Sequence, residues 1–284
     1  MWLKLLLVAL FLLSLVGAFL VEPAHNIRDG RVTDDRGEDH LRLLTWNIGN
    51  GDLESETRAH SEDLPAVAKV ILENDADAVA LQELTGEDQL KLLLSHMENR
   101  YRGYVCNRGS SDRAEAVLLK IREGKSEDKE HVIFSDVPAG NRFAAAATFR
   151  LRKNSTQVLL VSAHADAFSA ARRRTFAAEV VDWTRSHSQG DLVFIAGDFN
   201  FEVSTRAGNN LFTDNAKHDS EAYAYLLKYF RDLGLEAGDT SINERRIDYV
   251  FGTTATISVR RAEVLRGAAV GRLDHWPLLV EVGF

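Results

Sequence analysis

The stretch Leu192-Val193-Phe194-Ile195-Ala196-Gly197-Asp198-Phe199-Asn200 decides the fold. Its first five residues are small or apolar without a break, the pattern of a strand buried on both faces. Strands of this kind belong to layered α/β proteins, whose ligand sites gather at the carboxyl ends of strands. Here that end carries an acid and an amide two residues apart. Asp198 and Asn200 share one side if the strand runs that far. A carboxylate so placed can hold a metal or activate water, and an amide can orient a phosphate or a nucleophile. A strand ending in an Asx turn also accounts for Gly197-Asp198-Phe199-Asn200, because Gly, Asp and Asn all favour turns.

Outward from this stretch the same motif returns. Leu41 to Ile48 is an apolar strand with Asn47 near its end, closed by the turn Gly49-Asn50-Gly51-Asp52. Ala78-Val79-Ala80-Leu81-Gln82-Glu83 ends on an acid, and Val158 to His164 ends on a histidine. Arg246-Ile247-Asp248-Tyr249-Val250-Phe251 carries its acid inside the strand. Arg272-Leu273-Asp274-His275-Trp276-Pro277 leads into a last apolar strand ending at Val282. Ala116 to Ile121, Val132 to Val137 and Phe143 to Leu151 also read as strands.

Helices fall between them. Ser61-Glu62-Asp63-Leu64-Pro65 has a cap, early acids and an early proline, and Leu64, Val67, Ala68, Ile71 and Leu72 follow at helical spacing. Thr85-Gly86-Glu87-Asp88 resembles a capping box ahead of Leu90, Leu93, Leu94 and Met97. Residues 169–186 carry Phe176, Val180 and Trp183 on one stripe, residues 203–220 read as loop, and residues 221–232 are helical in pattern.

A chain of 284 residues without repeats, low-complexity tracts or an interior proline-rich linker reads as one domain behind an N-terminal extension. Lys4 followed by an apolar run over residues 5–21 is the pattern of a secretory signal, and the run is long enough to serve as a membrane anchor instead. The expected division is a signal or anchor at 1–24, a linker at 25–40 and the domain at 41–284. The expected location is secreted, periplasmic or membrane-tethered. The net charge of −8 argues against a broad nonspecific grip on nucleic acid, though a bound cation could still neutralise phosphates. Cys106 is the only cysteine, which excludes an intramolecular disulfide and a zinc site built from several cysteines.

Polar groups of one chemical kind thus mark six strand ends or adjoining turns: Asn47, Glu83, His164, Asp198 with Asn200, Asp248, and Asp274 with His275. Any one of them alone could be a cap or a satisfied core residue. Gathered at one edge, the carboxylates would repel each other and resist ionisation. A hard cation resolves that, and oxygen ligands suit Mg²⁺ or Mn²⁺ rather than zinc. Two histidines add acid–base capacity near neutral pH.

In that order Thr45-Trp46-Asn47-Ile48, Leu81-Gln82-Glu83, the strand ending at His164, Gly197-Asp198-Phe199-Asn200, Arg246 to Phe251 and Asp274-His275-Trp276-Pro277 resemble the motif series of the endonuclease/exonuclease/phosphatase family. The resemblance implies an α/β four-layer sandwich with two central mixed sheets. It implies Glu83, Asn47 and Asp274 around the metal, Asp198 on the attacking water and Asn200 on the phosphate. It also implies His275 on the scissile phosphate or as acid/base, oriented by Asp248, with His164 donating to a phosphate oxygen or to the leaving group. The implied activity is metal-dependent phosphodiester hydrolysis of DNA, RNA or a phospholipid head group, such as that of sphingomyelin. A phosphomonoesterase and a non-catalytic binding module on the same fold are the alternatives. Phe201-Glu202 departs from the pattern of inositol polyphosphate phosphatases, and Leu273 stands where the family usually has serine. Asn141-Arg142 and the run Arg172-Arg173-Arg174 are candidate contacts for an anionic substrate. The run equally suits the solvated face of a helix start. The sequence calls for no obligate protein partner.

Overall fold

The computed structural model describes residues 40–49, 63–106, 113–121, 132–151, 156–188, 192–203, 213–253, 257–268, 270–271 and 273–284. The N-terminal extension lies outside the described residues, and so does most of the linker. Among the described residues no helix is long and apolar enough to cross a membrane.

Two six-stranded mixed sheets form the centre. The first has the order β11-β12-β1-β2-β4-β3, built from β1 (His40–Asn47), β2 (Ala78–Leu84), β3 (Tyr101–Cys106), β4 (Ala114–Lys120), β11 (Ser258–Val264) and β12 (Leu278–Gly283). The second has the order β5-β6-β7-β8-β10-β9, built from β5 (Ile133–Ala139), β6 (Arg142–Arg150), β7 (Gln157–His164), β8 (Leu192–Asp198), β9 (Phe230–Asp232) and β10 (Asp248–Thr253). Among the described residues four helices flank them: α1 (Leu64–Glu73), α2 (Glu87–Ser95), α3 (Ala170–His187) and α4 (Ala216–Leu227).

Strand alternation sorts the apolar side chains into three layers of core. Leu41 and Leu43 of β1 and Ala78 and Ala80 of β2 meet Phe194 and Ala196 of β8 between the sheets. The alternate residues Leu44, Trp46, Val79 and Leu81 face α1 and α2. Val193 and Ile195 face α3 and α4. This is why Leu192 to Ala196 is apolar at every position: both faces of the strand are covered. The expected four-layer sandwich is the observed architecture.

Helix α1 starts at Leu64 with Asp63 as its cap residue and Pro65 in its first turn, but the Asp63 side chain makes no capping bond. The Thr85 capping box does not form: Gly86 caps α2, and the Thr85 amide instead donates to Gln89 Oε1 at 2.8 Å. The helix read over 221–232 runs over Ala216–Leu227, and Phe230–Asp232 is an edge strand. Asn215 fixes the earlier start, its Oδ1 accepting from the amides of Lys217 and His218 at 3.1 and 3.2 Å. Strands β3 and β11 went unread.

The site owes its place to two parallel pairs, β1 with β2 and β7 with β8. The carboxyl ends of each parallel pair lie at one edge of its sheet. Beneath that rim Gln82 pins the sheets together, its Nε2 donating to Ser162 Oγ at 3.0 Å.

Candidate active site

Three of the expected residues fall in one row across the second sheet. His164 is in register with Asp198, and Asp198 with Asp248. From the first sheet, Asn47 and Glu83 project at the ends of β1 and β2. Asn47 Nδ2 joins the sheets by donating to Glu83 Oε1 at 3.3 Å and to Asp198 Oδ2 at 3.1 Å. His275 arrives on the loop before β12, held by a bond from Trp46 Nε1 to its carbonyl at 2.9 Å and by a bridge to Ser241. Its Nδ1 lies 2.8 Å from Asp248 Oδ2, and its Nε2 lies 3.8 Å from Asp198 Oδ2. Asn47, Glu83, Asp198, Asn200, Asp274 and His275 line one cleft.

The backbone is shaped for this assembly. Gly197 has φ +152°, and a Cβ there would stand 1.8 Å from the Ala163 carbonyl oxygen, so the residue before Asp198 must be glycine. A Cβ on Gly49 would stand 2.2 Å from Glu83 Oε2. Glu83 and Asn200 adopt φ +60° and +53°, left-handed conformations uncommon for non-glycine residues that here turn the chain at the rim. The Asx turn expected at the strand end is present, with the Asn200 amide donating to Asp198 Oδ1 at 2.8 Å. The turn and the site are therefore one object.

The titrating groups are pushed apart. Burial opposes a charge on His275, but Asp248, with Asp198 and Asp274, outweighs it and raises the imidazole to about 10. Burial, with Asp248 beside it, pushes Asp198 up to about 7 against the pull of His275. His164 moves the other way, held well below its ordinary range by burial and by the charges of Arg142, Arg113 and His275. At neutral pH the site thus holds one cationic and one neutral imidazole around a carboxylate poised to take a proton.

Oxygen-rich donors fit a hard cation. Ligand atoms of Asp198, Asp248 and His275 lie within 4.8 Å of one another. Because Asp248 and His275 answer each other, the donors left for a cation are Glu83, Asp198, Asn47 and Asp274. Burial first, and the Asp248 charge after it, raise the Asp198 carboxyl, and a cation beside it would favour its ionised form.

The candidate arginines are placed differently. Arg142 Nη1 lies 3.5 Å from the His164 carbonyl, behind the histidine. Arg172 is an exposed partner of Asp166 at 3.4 Å. Arg173 is fully buried and clamps Asp219 with bonds of 2.7 and 3.0 Å, and Arg174 pairs with Glu221. Glu115 of β4 escaped the sequence reading. It is buried 3.5 Å from His164 Nδ1, and burial raises its carboxyl well above the usual range. Its signal was a lone acid in the otherwise apolar strand Ala114–Leu119. Arg113, Phe168, Asn243 and Arg245, which also line the cleft, were missed as well.

A two-sheet sandwich with an acid, amide and histidine cleft at its rim defines the class of phosphoester-processing folds named by the motif series. The chain belongs to the Endonuclease/Exonuclease/phosphatase family, whose sequence model matches residues 44–271. Among solved structures it is similar to an endonuclease/exonuclease/phosphatase from Bacteroides vulgatus, with 17% identity over 86% of this chain and 99% of that one, at TM-score 0.66. It is similar to a Bacteroides thetaiotaomicron mannosyl-6-phosphatase, with 19% identity, coverage of 86% and 100%, and TM-score 0.66. It is also similar to the human Nocturnin catalytic domain with bound sulfate, with 17% identity, coverage of 87% and 94%, and TM-score 0.64. Among curated protein sequences no relative matches the chain.

Proposed function

We propose that the chain is an exported, divalent-metal-dependent phosphodiesterase that hydrolyses its substrate by in-line attack of water on phosphorus. The observation behind this reading is the pairing of a buried Asp248–His275 couple with the Glu83–Asn47–Asp198 network in one cleft. Glu83, Asn47 and Asp274 would hold Mg²⁺ or Mn²⁺. When bound, the ion supplies positive charge to a phosphate oxygen.

Asp198 orients the water and takes its proton. His275 gives an Nε2–H to a non-bridging oxygen. At 3.8 Å from Asp198 Oδ2, His275 stands too close to the base to serve as acid on the opposite face of an in-line phosphorus. It therefore acts on developing charge. Asp248 keeps its ring charged and fixes the proton on Nδ1. Neutral His164, with its Nε2 3.7 Å from Asp198 Oδ2, donates to a phosphate oxygen. Asn200 holds the phosphate from the β8 turn.

A phosphomonoesterase is the second reading, and the shared fold of the mannosyl-6-phosphatase speaks for it. A binding module without turnover has the complete polar set against it. The extension at 1–24 supports export or tethering, and DNA, RNA and phospholipid head groups are the substrate classes in view.

The test offers the protein bis(p-nitrophenyl) phosphate, p-nitrophenyl phosphate, plasmid DNA and sphingomyelin liposomes, with Mg²⁺ and then with excess chelator. Chelator-sensitive cleavage of a diester, lost in Asp198→Ala and His275→Ala, is the expected result. Cleavage of the monoester alone would favour the second reading. Metal binding with no turnover would refute catalysis.

A further inference from the structure

Asp248 opens β10 in the second sheet, and His275 sits on the loop before β12 in the first. The 2.8 Å bond between them therefore depends on how two separate elements are held. One short segment, residues 240–242, touches both. Its backbone pairs with the loop. The Trp276 amide donates to the Thr240 carbonyl at 2.8 Å, and the Ile242 amide donates to the Asp274 carbonyl at 2.9 Å. These two bonds flank His275, which bridges to Ser241 between them.

The side chain of the same segment holds β10. Thr240 is fully buried, and its Oγ1 accepts from the amides of Ile247 and Asp248 at 3.1 and 3.0 Å. Its hydroxyl donates to the Arg245 carbonyl at 3.5 Å, which leaves the oxygen's lone pairs to the two amides. The sheet explains the need for such an acceptor. β9 pairs with β10 only at Phe251 to Thr253, so the start of β10 has no ladder partner from β9. A buried amide without an acceptor is costly, and the Thr240 hydroxyl supplies one at the residue that carries the carboxylate.

We propose that Thr240 is a positioning residue for the hydrolysis. Its carbonyl holds the loop that carries His275, its hydroxyl holds the strand end that carries Asp248, and together they set the bond between the two. The described lining of the cleft includes Ser241 and not Thr240, so Thr240 acts through the couple rather than on the substrate. The kinetic consequence rests on the phosphoesterase reading of the cleft, whereas the structural one rests on these bonds alone.

The experiment uses the full chain and compares Thr240→Val, which keeps the shape and loses the hydroxyl, with Thr240→Ser, which keeps the hydroxyl. Hydrolysis of bis(p-nitrophenyl) phosphate with Mg²⁺ gives kcat and KM. Proton NMR in chelator follows the downfield resonance of the His275 Nδ1–H, identified by its absence in His275→Gln, and needs no turnover. Circular dichroism checks each fold.

We expect Thr240→Val to lower kcat by about tenfold to a hundredfold with KM changed less than about threefold, the pattern of a reacting group held slightly out of place. The His275 resonance should move upfield or broaden as its bond to Asp248 lengthens. Thr240→Ser should keep most of kcat and the wild-type resonance. If Thr240→Val does not fold, Thr240→Cys replaces it, with a weakly accepting sulfur and an intermediate kcat and resonance expected. An unmoved resonance in the variant that lacks the hydroxyl overturns the inference whatever kcat does, because Thr240 then acts otherwise than through the couple. A moved resonance with kcat unchanged overturns the role in hydrolysis. A Thr240→Ser protein that behaves like Thr240→Val overturns the assignment to the hydroxyl. If the wild type cleaves no phosphoester, the phosphoesterase reading falls and the resonance alone decides whether Thr240 sets the couple. A wild-type spectrum without the resonance removes the couple, and the inference with it.

Discussion

Replacing Asp248 by asparagine removes one charge and no volume from the centre of the site. Asp248 is fully buried, and its Oδ2 accepts from His275 Nδ1 at 2.8 Å. With its carboxylate neighbours it lifts the imidazole from 6.5 to about 10. At pH 7 that offset corresponds to roughly 4 kcal/mol of folding free energy, shared among Asp248, Asp198 and Asp274. Asp248 is the nearest of the three and carries the hydrogen bond, so Asp248→Asn should cost about 2–4 kcal/mol at that pH.

The sign of the pH dependence follows from the raised value. A histidine whose folded pKa exceeds its unfolded one contributes fully below about 6.5 and loses the contribution as pH rises through about 10. Urea denaturation of wild type and Asp248→Asn, both in chelator, should show a gap that is largest near pH 6–7 and narrows by pH 10.5. Turnover should fall at least about a hundredfold, because the variant keeps the shape but loses the charge that holds the imidazolium. A stability gap independent of pH would refute the ion-pair reasoning. Retained turnover within a few-fold would refute the role given to His275.

Other consequences can be checked singly. Gly197→Ala forces a methyl into the Ala163 carbonyl at a φ of +152°, parting β7 from β8; a loss of about 4 kcal/mol or more is expected, read as collapsed soluble yield and lost circular dichroism. Gly49→Ala puts its methyl 2.2 Å from Glu83 Oε2 and 2.5 Å from Glu83 Cβ; calorimetric Mg²⁺ affinity and turnover should fall at least about tenfold and Tm should drop, since the Glu83 backbone must shift to make room. Arg173→Met strands the buried Asp219 charge and should cost about 3–5 kcal/mol in denaturation, partly recovered in Arg173→Met/Asp219→Leu. Arg172→Ala, at an exposed pair, should cost under about 1 kcal/mol.

The central strands and most of the site were legible because burial writes itself into single strands. Leu192 to Ala196 is covered on both faces, so every residue is apolar and the polar end stands out. Edge strands carry no such mark. In β11, residues Ser258 to Arg261 are exposed, and β9 is three residues long, too short to show a period. Membership of the cleft by Arg113 and Arg245 was hidden for another reason: it depends on two sheet rims meeting, and neither arginine sits in a pattern of its own.

The arginine run shows where phase, rather than composition, holds the information. Successive residues of a helix point about 100° apart, so three adjacent arginines cannot share one environment. Phe176 and Val180 already mark the buried stripe of α3, and one turn back along it lies Arg173. The stripe therefore selects Arg173 for burial and sends Arg172 and Arg174 to the flanks, as observed. What the stripe could not supply was the partner. Asp219 comes from α4, whose start is set by the Asn215 cap. That start lies within the stretch whose composition reads as loop. The identity of the buried residue was written locally, while the carboxylate that makes its burial tolerable comes from a second helix, brought there by tertiary packing.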